Sequence, residues 1–275
     1  MRAVFAIALD AILGFRDDEG WAISSHIAMT TLTSLFPFLI FVAALGGVFG
    51  SREIAEQSAR LLFAAWPEIV AAPIAGELTN VLTAPRGGLL TLGAMLALYF
   101  SSSAIEALRI GLNRAYRFQE TRAWWLLRLE SIAYMLLGSF ALLAVALLVV
   151  LGPLLWAGAL KLVPELAPLE QIVTLVRLTI ASLLLGLALV IAHRYLPAQR
   201  VGFAQSAPGI ILTFICSIGF GEAFGLYLGA FARNYVSTYA GLASVMIALV
   251  FLYSIAAIFV FGGELNAAIL RARKG

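Results

Sequence analysis

The sequence predicts an all-α, polytopic membrane protein, and three observations carry that prediction. Hydrophobic residues fill 62% of the 275 positions and charged residues only 12%, whereas soluble domains carry about 25% charge. Six stretches free of Asp, Glu, Lys and Arg approach the ~20 residues that cross ~30 Å of hydrocarbon as a helix. The basic residues are also divided unevenly between alternate connections. A water-soluble fold of this size could not cover so much apolar surface, and the mean hydropathy of +0.99 agrees. Disordered, fibrous and disulfide-built chains are excluded, the last because Cys216 is the single cysteine.

Taken in order, Val4, Ala8, Ala11, Ile12 and Phe15 recur at helical spacing and predict an N-terminal amphipathic helix lying in the membrane interface. It is not read as a cleavable signal. The first span covers 27–51 and contains Pro37, which removes a backbone donor, frees a carbonyl and allows a kink. Between spans one and two, Ile54, Ser58, Leu61, Leu62 and Ala65 make one apolar stripe, stopped at Trp66-Pro67. Val70, Ile74, Leu78, Val81 and Leu82 make another. Together they predict a periplasmic amphipathic helical hairpin, with a packing role as the plainer reading. Spans two to six cover 87–105, 131–160, 178–192, 201–221 and 236–263, the fourth reaching full length by snorkelling of Arg177 and His193. Nothing divides the chain, so 1–275 is read as a single membrane domain.

Eleven Lys and Arg residues fall on the side of the two termini and five on the other, which places both termini in the cytoplasm. The pI near 9.2 reflects this orientation rather than a nucleic-acid surface.

Within the spans, ionisable residues are costly and therefore candidate sites. Glu106 and Arg109 share a face near the cytoplasmic end of span two, and Glu264 and Asn266 close span six at the same depth. Arg109 is expected to pair with Glu106 or Glu264. Towards the opposite leaflet, Arg177 and Glu222 are expected to approach each other in the bundle interior. The plainer reading of both clusters is pinning of helix ends. Ser217, Gly221, Gly225 and Gly229 recur every four residues, a stripe that suits close helix approach, whether at a hinge, a dimer seam or an ordinary packing contact. No catalytic, cofactor or metal site is expected. His26, His193 and Cys216 lack ligand spacing, the glycine pairs lack a phosphate-loop context, and Ser101, Ser102 and Ser103 have no His or Asp at catalytic spacing.

Three segments resemble the YihY/BrkB family of bacterial inner-membrane proteins. They are Thr33-Ser34-Leu35-Phe36-Pro37, the run from Ser102-Ser103-Ala104 to Leu112-Asn113-Arg114-Ala115-Tyr116, and Tyr239-Ala240-Gly241-Leu242-Ala243-Ser244 followed by Gly262-Gly263-Glu264-Leu265-Asn266-Ala267. Tyr195-Leu196-Pro197 stands between them in the expected order. Ala240 and Ala243-Ser244 replace glycines of the usual pattern. The resemblance implies six helices, both termini inside, and residence in the bacterial inner membrane. Family members have carried a mistaken ribonuclease BN label and a virulence-factor label, and some are linked to lipid handling. The expected function is a transporter or translocation factor for an amphipathic, lipid-related substrate. The alternative is a non-transporting scaffold for envelope assembly. A ribonuclease is disfavoured, since its usual carboxylate or histidine clusters are missing from the pattern. Membrane lipids and envelope-assembly proteins are the expected partners, and nucleic acid is not.

Overall fold

The computed structural model describes residues 2–49, 87–146, 148–149, 152–239 and 243–274. All regular structure among them is helical.

Helix α1 (Arg2–Asp17) turns into α2 (Gly20–Phe49) through Glu19, whose φ of 58° lies in the left-handed region. The ring of Phe15 folds over Gly20 so closely that a Cβ there would sit 2.5 Å from it, so the turn needs glycine. The 30-residue α2 continues through Pro37 and coincides with the expected first span. The predicted hairpin over 52–86, and the Ala240–Leu242 part of the third family-like segment, lie outside the described residues.

The next apolar stretch is two helices, α3 (Gly87–Ser101) and α4 (Ser103–Tyr116), separated at Ser102. The Ser102 hydroxyl donates to the Tyr99 carbonyl at 2.7 Å, a local bond that competes with the helix ladder. At the far end of α4, Arg117 adopts the left-handed conformation (φ 56°), and the Phe118 N–H closes on the Asn113 carbonyl at 2.9 Å. Then follow α5 (Trp124–Ala146), α6 (Gly152–Leu162), a 3-10 turn (Pro164–Leu169), α7 (Glu170–Tyr195), α8 (Phe203–Tyr239) and α9 (Ala243–Lys274).

Among the described residues, five stretches are long and apolar enough to cross a membrane: Met95–Tyr116, Trp124–Leu142, Pro164–Tyr195, Phe203–Gly229 and Val245–Arg273. The chain is a multi-pass membrane protein. The boundaries differ from the sequence expectation: span three, expected over 131–160, is found over Trp124–Leu142 with a separate helix α6 after it, while other ends run on past the first charge. Span two runs on to Tyr116, span three begins at Trp124, and the last continues to Arg273. A search for charge-free residues stops at the first ionisable side chain. A helix does not, because its backbone bonds are internal and its neighbours can satisfy that side chain.

Helix α9 is central, packed by α8, α2, α1 and α4. The buried core, including Phe15, Ile27, Leu112, Tyr116, Phe259 and Val260, gathers at one end of this group. Gly111 on α4 lets it approach α2 and α9, since a Cβ there would lie 3.0 Å from Ile27 and 3.4 Å from Val260. Helices α5 and α7 stand to the side, with Leu129, Phe140, Leu175 and Leu183 all exposed, as lipid-facing surfaces should be.

The four-residue stripe is not where the described helices come closest to one another. Nothing among the described residues lies within 4 Å of a Cβ added to Gly221, Gly225 or Gly229. Closest approach occurs more than two turns before Ser217 on α8, where Gly209 lies against the Gly262 carbonyl of α9. The spacing of small residues identifies a surface fit for close contact, and only the neighbouring helix decides which surface is used.

Candidate functional site

The polar residues of the bundle collect at the same end as its core, in four connected groups. The first joins α3, α4 and α5. The Arg109 guanidinium is 4% exposed and cannot shed its charge, so its surroundings must balance it. Its Nη1 donates to the Leu127 carbonyl and to Ser131 Oγ, both at 3.0 Å, and Nη2 lies 3.6 Å from Glu106 Oε1. The other oxygen of Glu106 is 2.8 Å from Arg128 Nη2. Arg128 in turn donates to Ser102 Oγ at 3.1 Å and stands 3.9 Å above the Tyr99 ring. One carboxylate thus bridges two arginines, and the break at Ser102 exposes the hydroxyl and carbonyl that receive the second.

The second group fills the α8–α9 contact. The Gly209 N–H donates to Asn266 Oδ1 at 2.7 Å, and Asn266 Nδ2 donates to the Tyr116 hydroxyl of α4 at 3.1 Å. Beside it, His193 of α7 is wholly buried and its ring lies 4.7 Å from that of Phe259. Neither His193 nitrogen has a hydrogen-bond partner, and neither does the buried Thr213 hydroxyl, which adjoins Gly262. Buried polar atoms are ordinarily satisfied, so this concentration is unusual.

The third group lies beneath α1. Glu264 is 1% exposed, and neither carboxyl oxygen has a hydrogen-bond partner. It reaches towards Gly14, where an added Cβ would sit 2.7 Å from Oε2 and 3.3 Å from Arg271 Nη2. Arg271 Nε donates to Asp10 Oδ2 of α1 at 3.0 Å, while its buried Nη2 is also unpartnered. The turn after α1 is tied down by Arg117 to Asp18 at 3.0 Å and Arg114 to Glu19 at 3.6 Å. The bond to Asp18 and its charge hold the Arg117 guanidinium above its ordinary value.

The fourth group joins two connections. Asn113 accepts from the Ala198 N–H at 2.6 Å and donates to Glu120 at 3.2 Å. Arg122 lies 2.8 Å from both Glu120 and Glu130. Hydrogen bonding by the Arg122 side chain, against the opposing effect of partial burial, pulls the Glu120 carboxyl down to about 2.

Of the residues singled out in the sequence, the structure brings Glu106 to Arg109 and places Asn266 in the second group. Glu264 belongs to the α1–α9 contact and makes no ion pair with Arg109. The outer pair does not form. Glu222 is exposed, and Arg177 lies against Gly152 of α6, where an added Cβ would be 2.5 Å from its side chain. Equal depth on adjacent helices does not fix rotation about the helix axis. Pro37 lies within α2 and is half-buried. Sequence reasoning missed Gly14, Ser102, Arg128, Ser131, Gly209 and Thr213. Arg128 was counted as a connection charge because it precedes a charge-free run. The others carry no charge, so no cost signal pointed to them. Tyr116, Asn113 and Ser102 all stand inside the family-like segments.

Comparison with known proteins adds three findings. The family model described as Virulence factor BrkB matches residues 11–275. The chain is similar to YfkH of Bacillus subtilis, described as ribonuclease-like, at 26% identity over 257 residues, covering 93% of this chain and 92% of that protein. It is also similar to a UPF0761 membrane protein of Rhodospirillum centenum, at 26% identity over 273 residues, or 96% of this chain and 57% of that one. No solved structure matches.

Proposed function

The chain belongs to the virulence factor BrkB family, and from that premise we propose that it is an inner-membrane transporter or translocation factor for an amphipathic, lipid-related substrate. One observation supports this above others. Glu264, His193 and Thr213 present unpartnered polar atoms inside an apolar bundle, around the Asn266–Tyr116 bond. Polar groups at such positions are expensive unless they face a pathway, water or a substrate. The reading takes α2 as the first of six spans, with both termini cytoplasmic. A reporter fused after Gly275 is then active inside, and one placed near Leu82 behaves as periplasmic. The proposed role is not catalytic.

The test is reconstitution of the purified chain in vesicles with labelled phospholipid, using Asn266→Ala as the impaired control. Movement of label by the native chain, reduced in the variant, supports the reading. Empty-vesicle rates for both would overturn it. A second reading, a scaffold for envelope assembly, would set a protein partner in place of lipid on the apolar faces of α5 and α7. It requires a protein that copurifies through those faces and is lost when Phe140 and Leu183 are changed to serine.

A further inference from the structure

The contact between α1 and α9 has two anions and one cation within reach of each other. Arg271 is committed through Nε to Asp10 on α1 at 3.0 Å. Its free Nη2 and the free Oε2 of Glu264 both border the notch left by Gly14, at 3.3 and 2.7 Å from the place of the missing Cβ. While Asp10 holds Arg271, Glu264 has neither a hydrogen-bond donor nor a cation of its own. An ionised carboxylate so placed is strongly disfavoured. The other charged and titratable groups facing it are Asp18 beyond α1, Arg117 and Tyr116 on α4, and Arg117 is already bonded to Asp18. A metal cation would need several oxygen ligands, and no group of three acidic or histidine side chains is found among the described residues. A proton needs only one carboxylate.

We propose that Glu264 is a proton-binding site closed by α1, with Arg271 exchanged between Asp10 and Glu264. With α1 seated, Arg271 pairs with Asp10 and Glu264 holds its proton. When α1 lifts, Asp10 leaves with it, Arg271 turns to Glu264, and the carboxyl proton passes to water entering the notch. One proton is released, and one ion pair replaces another. The exposed apolar residues of α1, Phe5, Leu9 and Ile12, suit a helix that remains at the membrane surface in either position. This deepens the transport reading by naming the ion, and as a coupling site it rests on that reading.

The experiment is infrared spectroscopy of the full chain in lipid nanodiscs at pH 7, following the C=O stretch of a protonated glutamate. Native protein shows the band, Glu264→Gln lacks it, and Glu106→Gln retains it. Asp10→Asn, which frees Arg271 without touching Glu264, loses the band, whereas Arg271→Gln keeps it. Absence of the band in the native protein, or its survival in Glu264→Gln or in Asp10→Asn, overturns the proposal. Should Glu264→Gln fail to fold, Gly14→Ala takes its place, because its methyl group meets Oε2 and must shift the band. An unmoved band overturns the assignment. The readout is independent of transport: a band without lipid movement removes the transport reading alone, and movement without a band removes the proton site alone.

Discussion

The side-chain amide of Asn266 donates to the hydroxyl of Tyr116 at 3.1 Å, joining helices 150 positions apart in the chain. The same amide accepts the backbone N–H of Gly209, so one residue holds α4, α8 and α9 together. Its two contacts are unequal in consequence. Tyr116→Phe leaves one buried donor unmet, which costs about 1–3 kcal/mol. Asn266→Ala removes both bonds, opens a small cavity and strands the Gly209 N–H. Thermal unfolding in mild detergent is expected to rank the variants with Asn266→Ala the less stable. Equal loss would show that the bond to Gly209 contributes nothing.

Gly209→Ala places a methyl group on the Gly262 carbonyl and within 2.5 Å of Asn266. Overpacking of this kind costs about 1–3 kcal/mol, more where backbone must move. Gly225→Ala meets nothing among the described residues, and its midpoint should stay within about 0.5 kcal/mol of native. A larger loss at Gly225 would restore the four-residue stripe as a contact surface.

Removing one partner from the Arg109 group tests where its charge is balanced. Arg109→Met leaves Glu106 its bond to Arg128, whereas Glu106→Gln leaves two guanidinium groups without their shared anion. Glu106→Gln should therefore cost more than Ser131→Ala, which leaves both guanidinium groups their anion and removes only a hydroxyl that accepts from Arg109 and donates to the Leu127 carbonyl. Breaking a buried pair costs about 3–5 kcal/mol. The partial exposure of Glu106 brings the expected loss below that range. Denaturation midpoints of the three variants decide the order.

Glu120 supplies a pH signature. Its carboxyl is held at about 2, from an ordinary 4.5, chiefly by the Arg122 side-chain bond. A folded value below the unfolded one means that the contribution is fully present above the ordinary carboxylate range. It fades as pH falls from about 4.5 through about 2. The stability difference between native protein and Glu120→Gln should be constant near neutrality and vanish in acid. A difference that grows in acid would reverse the assignment.

The fold was legible where lipid dictates it. A helix with bare apolar faces, such as α7, announces itself by composition alone, because every outward residue meets the same solvent. The interior was legible only where charge marked it. Glu106 and Arg109 could be paired from their spacing, since three residues apart means one face. The place of Glu264 beneath α1 could not be read, because depth along an axis says nothing of rotation about it. Gly14 and Gly209 matter through what their missing side chains admit, and an absent atom leaves no pattern to count. Ser102 looked like one of three equivalent serines until the chain was seen to break there.

The seating of α1 has a consequence for biogenesis. Helix α1 rests on α9, and Asp10 meets Arg271 261 positions later. Throughout synthesis α1 therefore has no final berth, and its apolar face must wait on the bilayer surface until α9 has been inserted. Closure over Glu264 then waits for insertion of α9, and a nascent chain truncated before Arg271 would enter the membrane with α1 undocked.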